Sequence, residues 1–216
     1  VSLPVVGDPD AVNVNVNVAD VVDVALAVAC TDAEGPGKRF ALWLQGCTLG
    51  CPGCCNPHMW AMGKGTRRRV DDIFVDVDAA VAAHGVEGVS LLGGEPFLQP
   101  AALARLARGA QERGLSVMIY TGFTLAELRA RADVDVDAAL AATDVLVDGR
   151  YVEAQRTTAR RFVGSENQVM HFFSDRYTKD DPRFASDNTI ELRLVVDKQT
   201  GTFTLNGWPS LGARTR

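Results

Sequence analysis

Cys47, Cys51 and Cys54 lie within one eight-residue stretch, C-T-L-G-C-P-G-C. Three residues separate the first pair and two the second. Three thiolates at this spacing can each hold one iron of a cubane [4Fe–4S] cluster, which leaves the fourth iron without a protein ligand. An electron-transfer ferredoxin closes that position with a fourth cysteine. An open iron is a place where a small molecule can bind and react, so the spacing points to an enzyme rather than an electron carrier. A disulfide framework would space its cysteines more widely and pair them, and the chain has five. A reducing cytoplasm, low in oxygen, is the compartment this usage implies.

A second constellation follows at Gly93-Gly94-Glu95-Pro96. Two glycines let backbone approach a ligand closely, and a carboxylate is favoured beside a ligand ammonium. The alternative for an isolated G-G-E-P is an ordinary turn before a helix. Thr121 and Asp148 stand at corresponding places further along. Each is a candidate ligand contact, and for Asp148 a helix-cap or turn role is the competing reading. Cys55 adjoins Cys54 too closely for both to reach corners of one cubane, so it reads as a structural or redox-inert thiol. Cys30 reads as core. His58, His84 and His171 are scattered and read as surface or packing residues, with His58 near enough to lie behind the cysteine loop. Met59 and Trp60 read as a cover over the cluster.

Elements must bring these residues to one place. Arg39 to Gln45 reads as a buried strand that delivers Gly46 and the cysteine loop, after a turn at Gly35-Pro36-Gly37 that Arg39 closes. Asp72 to His84 has helical spacing with Gly85 as its C-cap. Gly88 to Leu92 reads as a strand, Pro100 to Arg113 as a helix, and Leu115 to Tyr120 as a strand. Thr124 with Glu127 makes a capping-box pattern for a helix through Arg131. Asp137 is read as the cap of another short helix, and Asp144 to Asp148 as a strand. Strands alternating with helices over short connections imply βαβ units around a parallel sheet. Ligands gather at the carboxyl ends of such strands, so the cysteine loop, the Gly93–Pro96 segment, Thr121-Gly122 and Asp148-Gly149 would share one rim.

Outside this core the pattern weakens. Val12 to Val18 alternates strictly and suits an edge strand or an arm, and Val21 to Ala29 suits a strand. Arg67-Arg68-Arg69 reads as a solvated loop. Residues 151–189 are polar with few periods. Ile190 to Val196 and Thr202 to Leu205 read as a C-terminal hairpin. The chain reads as one domain over 1–216, with an N-terminal extension (1–33), a core (34–173) and a C-terminal extension (174–216).

The C-x3-C-x2-C loop coupled to G-G-E-P resembles the radical S-adenosylmethionine (SAM) enzymes. Glu34 to Phe40 and Leu44 to Cys47 resemble the G-P-G-x-R-F…Q-G-C opening of glycyl-radical-enzyme activating enzymes. Within that group, Cys51-Pro52-Gly53-Cys54, Asn56-Pro57, Trp60, Leu98-Gln99, Tyr120-Thr121-Gly122, Val147 to Tyr151 and Gly164 to Gln168 are most similar to the activating proteins of anaerobic ribonucleotide reductase. The resemblance spans Glu34 to Gln168. It implies an α/β fold, a partial β/α barrel of radical SAM type, to which the residue pattern adds an N-terminal strand or arm and a C-terminal β-hairpin extension. It implies a [4Fe–4S] cluster on Cys47, Cys51 and Cys54, and SAM held at Gly93, Gly94, Glu95 and Pro96, with Thr121 and Asp148 nearby. The implied reaction is reductive SAM cleavage, then hydrogen-atom abstraction. The implied partners are a glycyl radical enzyme and a flavodoxin- or ferredoxin-like electron donor. The chain departs from the pattern at Cys55 and in both extensions.

Two other readings stay open. The same scaffold could modify another protein, a peptide or a metabolite. A structural module could hold zinc with Cys47, Cys51, Cys54 and Cys55, although adjacent cysteines suit four-ligand zinc poorly. A formal net charge of −5 implies no broad basic surface, so nucleic acid is not an expected partner. No apolar run is long enough to span a bilayer, and the first residues lack the features of a signal peptide. The 47% hydrophobic content suffices for one α/β core.

Overall fold

A computed structural model describes residues 18–185 and the backbone of Glu191–Val195 and Thr202–Asn206. The alternating stretch at residues 12–17 lies outside the described residues.

The described residues form nine strands and five α-helices: β1 (Val21–Thr31), β2 (Arg39–Leu44), β3 (Thr66–Arg69), α1 (Val70–His84), β4 (Gly88–Gly93), α2 (Pro100–Glu112), β5 (Ser116–Tyr120), α3 (Leu125–Ala130), α4 (Val134–Ala141), β6 (Val145–Asp148), β7 (Val169–Phe172), α5 (Pro182–Ala185), β8 (Glu191–Val195) and β9 (Thr202–Asn206). The first seven strands form one mixed sheet in the order β3-β1-β2-β4-β5-β6-β7. Its centre is parallel, β2 to β4 to β5 to β6. β1, β3 and β7 join antiparallel at the flanks. β8 and β9 pair antiparallel as the expected hairpin.

The central strands read as continuous apolar runs because both their faces are covered. All six residues of β2 are buried. On one face Phe40, Leu42, Leu91, Val117, Ile119 and Leu146 meet apolar residues of α1, α2 and α4. On the other, Trp43, Leu92, Met118 and Val147 meet Met59 and Phe162. Arg39 closes this second face at the start of β2. It is fully buried, with Nε on Ser90 Oγ (3.0 Å) and Nη2 on the Val89 carbonyl (2.6 Å). Its Nη1 lies 3.5 Å from the Pro36 carbonyl, in the turn it was expected to close.

Several boundaries differ from the sequence reading. Arg67–Arg69 belongs to β3, an edge strand against β1, and not to a loop. Its exposed side chains carry no alternation, so only the pairing with Val21–Val24 reveals it. β7 is likewise set by pairing with β6 inside a polar stretch. Helix α1 begins at Val70, before Asp72, and ends at Gly85 in the left-handed conformation as expected. The cap of α4 is Asp133, whose carboxylate accepts from the Asp135 and Val136 amides. Asp137 lies inside the helix, so the expected cap was one turn late. The capping box of Thr124 and Glu127 is present. Cys30 is partly buried and packs against the helical-side core.

Candidate functional site

The cysteine loop is closed at its base by backbone. The Gly46 amide donates to the Met59 carbonyl (2.8 Å) and the Cys47 amide to the Trp60 carbonyl (3.0 Å). Met59 is 3% exposed and roots the returning limb beside Trp43 and Leu92. Between these pins Cys47, Cys51 and Cys54 are half-buried and Cys55 is exposed. Burial pushes the Cys47 and Cys51 thiols up, opposed by amides of Leu49 and Gly50 at Cys47 and of Tyr151 at Cys51. Cys54 is pushed down to about 6, first by a hydrogen bond from Cys55 and then by the Asn56 amide at 3.4 Å. The same bond pushes Cys55 up.

This donor set fits a cubane. Three half-buried thiols lie on one loop, the ligand type and number that a [4Fe–4S] cluster with one open iron takes. Among the described residues no three of His, Cys, Asp or Glu are gathered for a single metal ion.

The Gly93–Pro96 segment is docked on the strand that feeds this loop. The Gly94 amide donates to the Leu44 carbonyl and the Glu95 amide to the Gly46 carbonyl, both at 2.8 Å. A Cβ on Gly94 would stand 2.3 Å from the Gly46 carbonyl oxygen, and one on Gly93 would stand 2.4 Å from the Leu44 amide nitrogen. Gly93 also has φ +123°. The glycines thus bring the segment against the chain's own backbone, a close approach the sequence reading had assigned to a ligand. Glu95 is fully buried. Its Oε1 accepts from the Phe97 amide (2.9 Å) and Thr121 Oγ1 (2.8 Å), and its Oε2 from the Gly122 amide (2.8 Å). Burial raises its carboxyl to about 7, with these donors opposing. Pro96 is buried at the start of a 3-10 turn, Pro96–Leu98.

The remaining rim residues face each other across the parallel strand ends. Thr121, buried, bridges Glu95 and the Phe123 amide (3.1 Å). Asp148 Oδ2 accepts from the Leu125 amide at 2.6 Å, at the start of α3. His171 Nε2 lies 3.0 Å from the same oxygen. Asp148 therefore has the helix-terminus role that competed with ligand contact. His58 and His84 are exposed. Asn167 and Gln168, known at first only from resemblance, hold the turn after β6. Asn167 Nδ2 donates to the Arg150 carbonyl (2.8 Å) and Gln168 Nε2 to the Gly149 carbonyl (2.9 Å).

Two glutamines were not singled out as site residues. Gln45 Nε2 donates to the Ala61 carbonyl (2.8 Å), holding the far end of the cysteine loop. Gln99 Nε2 donates to the carbonyls of Asp23 (3.1 Å) and Gln45 (3.0 Å), and its Oε1 accepts from the Asp23 amide (2.8 Å). Their signal in the sequence is the family resemblance of Leu44 to Cys47 and of Leu98-Gln99, which assigns neither a role.

Residues 33–171 match the family model described as a 4Fe-4S single cluster domain. The anaerobic ribonucleoside-triphosphate reductase-activating protein of Vibrio cholerae is 35% identical over 150 residues, 65% of this chain and 92% of that one. Its counterpart from Escherichia coli K12 is 33% identical over 146 residues, 64% and 90% of the two chains. The pyruvate formate-lyase-activating enzyme of Listeria monocytogenes is 44% identical over 73 residues, 31% of this chain and 27% of its own.

Proposed function

Because the chain belongs to the 4Fe-4S single cluster domain family, and within it to the anaerobic ribonucleoside-triphosphate reductase-activating proteins, we propose that it is a radical SAM enzyme that activates a glycyl radical enzyme. Held by Cys47, Cys51 and Cys54 and by the Gly93–Pro96 segment, the cluster and SAM would supply the one-electron reductive chemistry for hydrogen-atom abstraction from the partner. The observation that carries this reading is the docking of Gly94 and Glu95 on Leu44 and Gly46, directly before Cys47.

The chain's own residues do the following. Cys47, Cys51 and Cys54 are the cluster ligands. The Gly93-Gly94-Glu95-Pro96 segment receives the methionine end of SAM beside them. Glu95 and Thr121 tie that segment to the end of β5, and Asp148 orients α3 at the same rim. Met59 and Trp60 close the loop at its base and keep water from it. The proposed architecture is the partial β/α barrel of radical SAM type, supported by four parallel strands whose carboxyl ends carry these loops. A flavodoxin- or ferredoxin-like protein is the proposed electron donor, and the cytoplasm the proposed compartment, in keeping with five free cysteines. Among the described residues no helix is long and apolar enough to cross a membrane.

A second reading, a radical SAM enzyme with a different protein, peptide or metabolite substrate, is favoured by the chain outside residues 33–171, which the family model does not match. Anaerobic reconstitution with iron and sulfide, then SAM and reductant, tests the chemistry. Iron uptake and release of 5′-deoxyadenosine are expected. Uptake of one zinc, no iron and intact SAM would leave the zinc module as the answer.

A further inference from the structure

The candidate ligands of the cluster follow β2 and the segment proposed to hold SAM follows β4, its parallel neighbour, and one side chain joins them. Gln99 ends the turn that starts at Pro96, its amide donating to the Pro96 carbonyl (3.0 Å). Its side chain reaches the opposite way, to β1 and to the last residue before Gly46. There the β1–β2 ladder stops at Val24 and Leu44, and the Gln45 amide still donates to the Asp23 carbonyl (2.8 Å). The Gln99 amide group completes this end of the sheet. It pairs with both backbone groups of Asp23, as a strand residue would, and also donates to the Gln45 carbonyl.

Few side chains can do this. The site needs one acceptor and two N–H donors on a single planar group. Glutamate supplies no donor, methionine supplies neither, and asparagine is one methylene shorter. The consequence reaches the chemistry. The segment from Gly93 to Gln99 is tied to residues 44–46 at its start by the Gly94 and Glu95 amides, and at its end by Gln99. Gln45 then ties the same residues to Ala61, at the other end of the cysteine loop. Cys47 and the Gly93–Pro96 segment are thereby held as one body.

We propose that Gln99 is a positioning residue that sets the Gly93–Pro96 segment against Cys47, and so the SAM methionine end against the open iron, without itself holding either group. The proposal rests on the radical SAM reading above. Gln99 touches none of the three cysteines, so its removal separates two properties that a general structural role would change together.

The test uses the full chain, reconstituted anaerobically, as wild type, Gln99→Glu and Gln99→Met. Iron and sulfide content is measured first, then the electron paramagnetic resonance signal of the reduced cluster during titration with SAM. Expected are wild-type iron content in both variants and a SAM affinity at least tenfold weaker in each, since Gln99→Met removes the donors and Gln99→Glu sets a carboxylate oxygen against the Asp23 and Gln45 carbonyls. Equal affinity in all three proteins overturns the proposal. So does loss of iron in parallel with loss of the SAM response. If Gln99→Met does not fold, Gln99→Glu alone decides, since unchanged affinity in it contradicts a need for the two donors. A wild-type cluster whose signal ignores SAM is a different failure, that of the radical SAM reading itself.

Discussion

Glu95 shows how a single side chain is caught between opposing effects. Desolvation disfavours its charge, while the Gly122 and Phe97 amides and the Thr121 hydroxyl favour it, and the balance is a carboxyl raised to about 7 from 4.5. Below about pH 4.5 both folded and unfolded states hold the proton. Between 4.5 and 7 the folded state binds more protons than the unfolded state, so this group's contribution to stability falls as pH rises and levels off above 7. Urea unfolding across that range should show the fall in the wild type and its absence in Glu95→Gln. At about pH 4.5 the glutamine variant should be less stable than wild type by about 1–3 kcal/mol, because its NH2 group would face an amide donor, and the gap should narrow as pH rises to 7. Among the cysteines, Cys47→Ala, Cys51→Ala and Cys54→Ala should each abolish cluster assembly. Cys55→Ala should keep it, and equal loss of iron in Cys55→Ala would overturn the ligand set. The three proposed ligands stand out in the sequence because their chemistry lies in short spacing. Gln99 does not, because its partners Asp23 and Gln45 are 76 and 54 residues away.

Elements were legible where local chemistry decides them and obscure where pairing does. Thr124 with Glu127 caps α3, and Gly85 ends α1, as their residue types require. β3 and β7 lie at the two edges of the sheet, and neither carries an apolar period. Their existence follows from β1 and β6 offering free ladder edges, which no window of ten residues contains. The cap of α4 lies between these cases. Two aspartates one turn apart, Asp133 and Asp137, both suit an N-cap by type. Only Asp133 has the extended backbone and the two amide contacts. Asp133→Ala should lower stability by about 1 kcal/mol, read as a shifted urea midpoint at constant slope. Asp137→Ala, at an exposed position, should stay within about 0.5 kcal/mol of wild type. The reverse order would restore the sequence-based assignment of the cap.

At the scale of the whole molecule, parallel pairing from β2 to β6 explains why motifs spread from Cys47 to Asp148 end on one rim. That rim was legible as soon as the strands were placed, since each motif follows a strand. The linkage among its members was not. Glu95 reaches Thr121 and Gly122, and Asp148 reaches Leu125, by contacts that depend on which strands are neighbours. The whole assembly has one purpose under the proposed function, to make a radical on a partner protein. The most direct measurement incubates the reconstituted, reduced protein with SAM and a candidate anaerobic ribonucleotide reductase, and records the electron paramagnetic resonance spectrum. The account predicts a glycyl-radical doublet on the reductase, matched by 5′-deoxyadenosine, and neither with Cys47→Ala. A fully loaded cluster that leaves SAM uncleaved and the reductase without a doublet would contradict it.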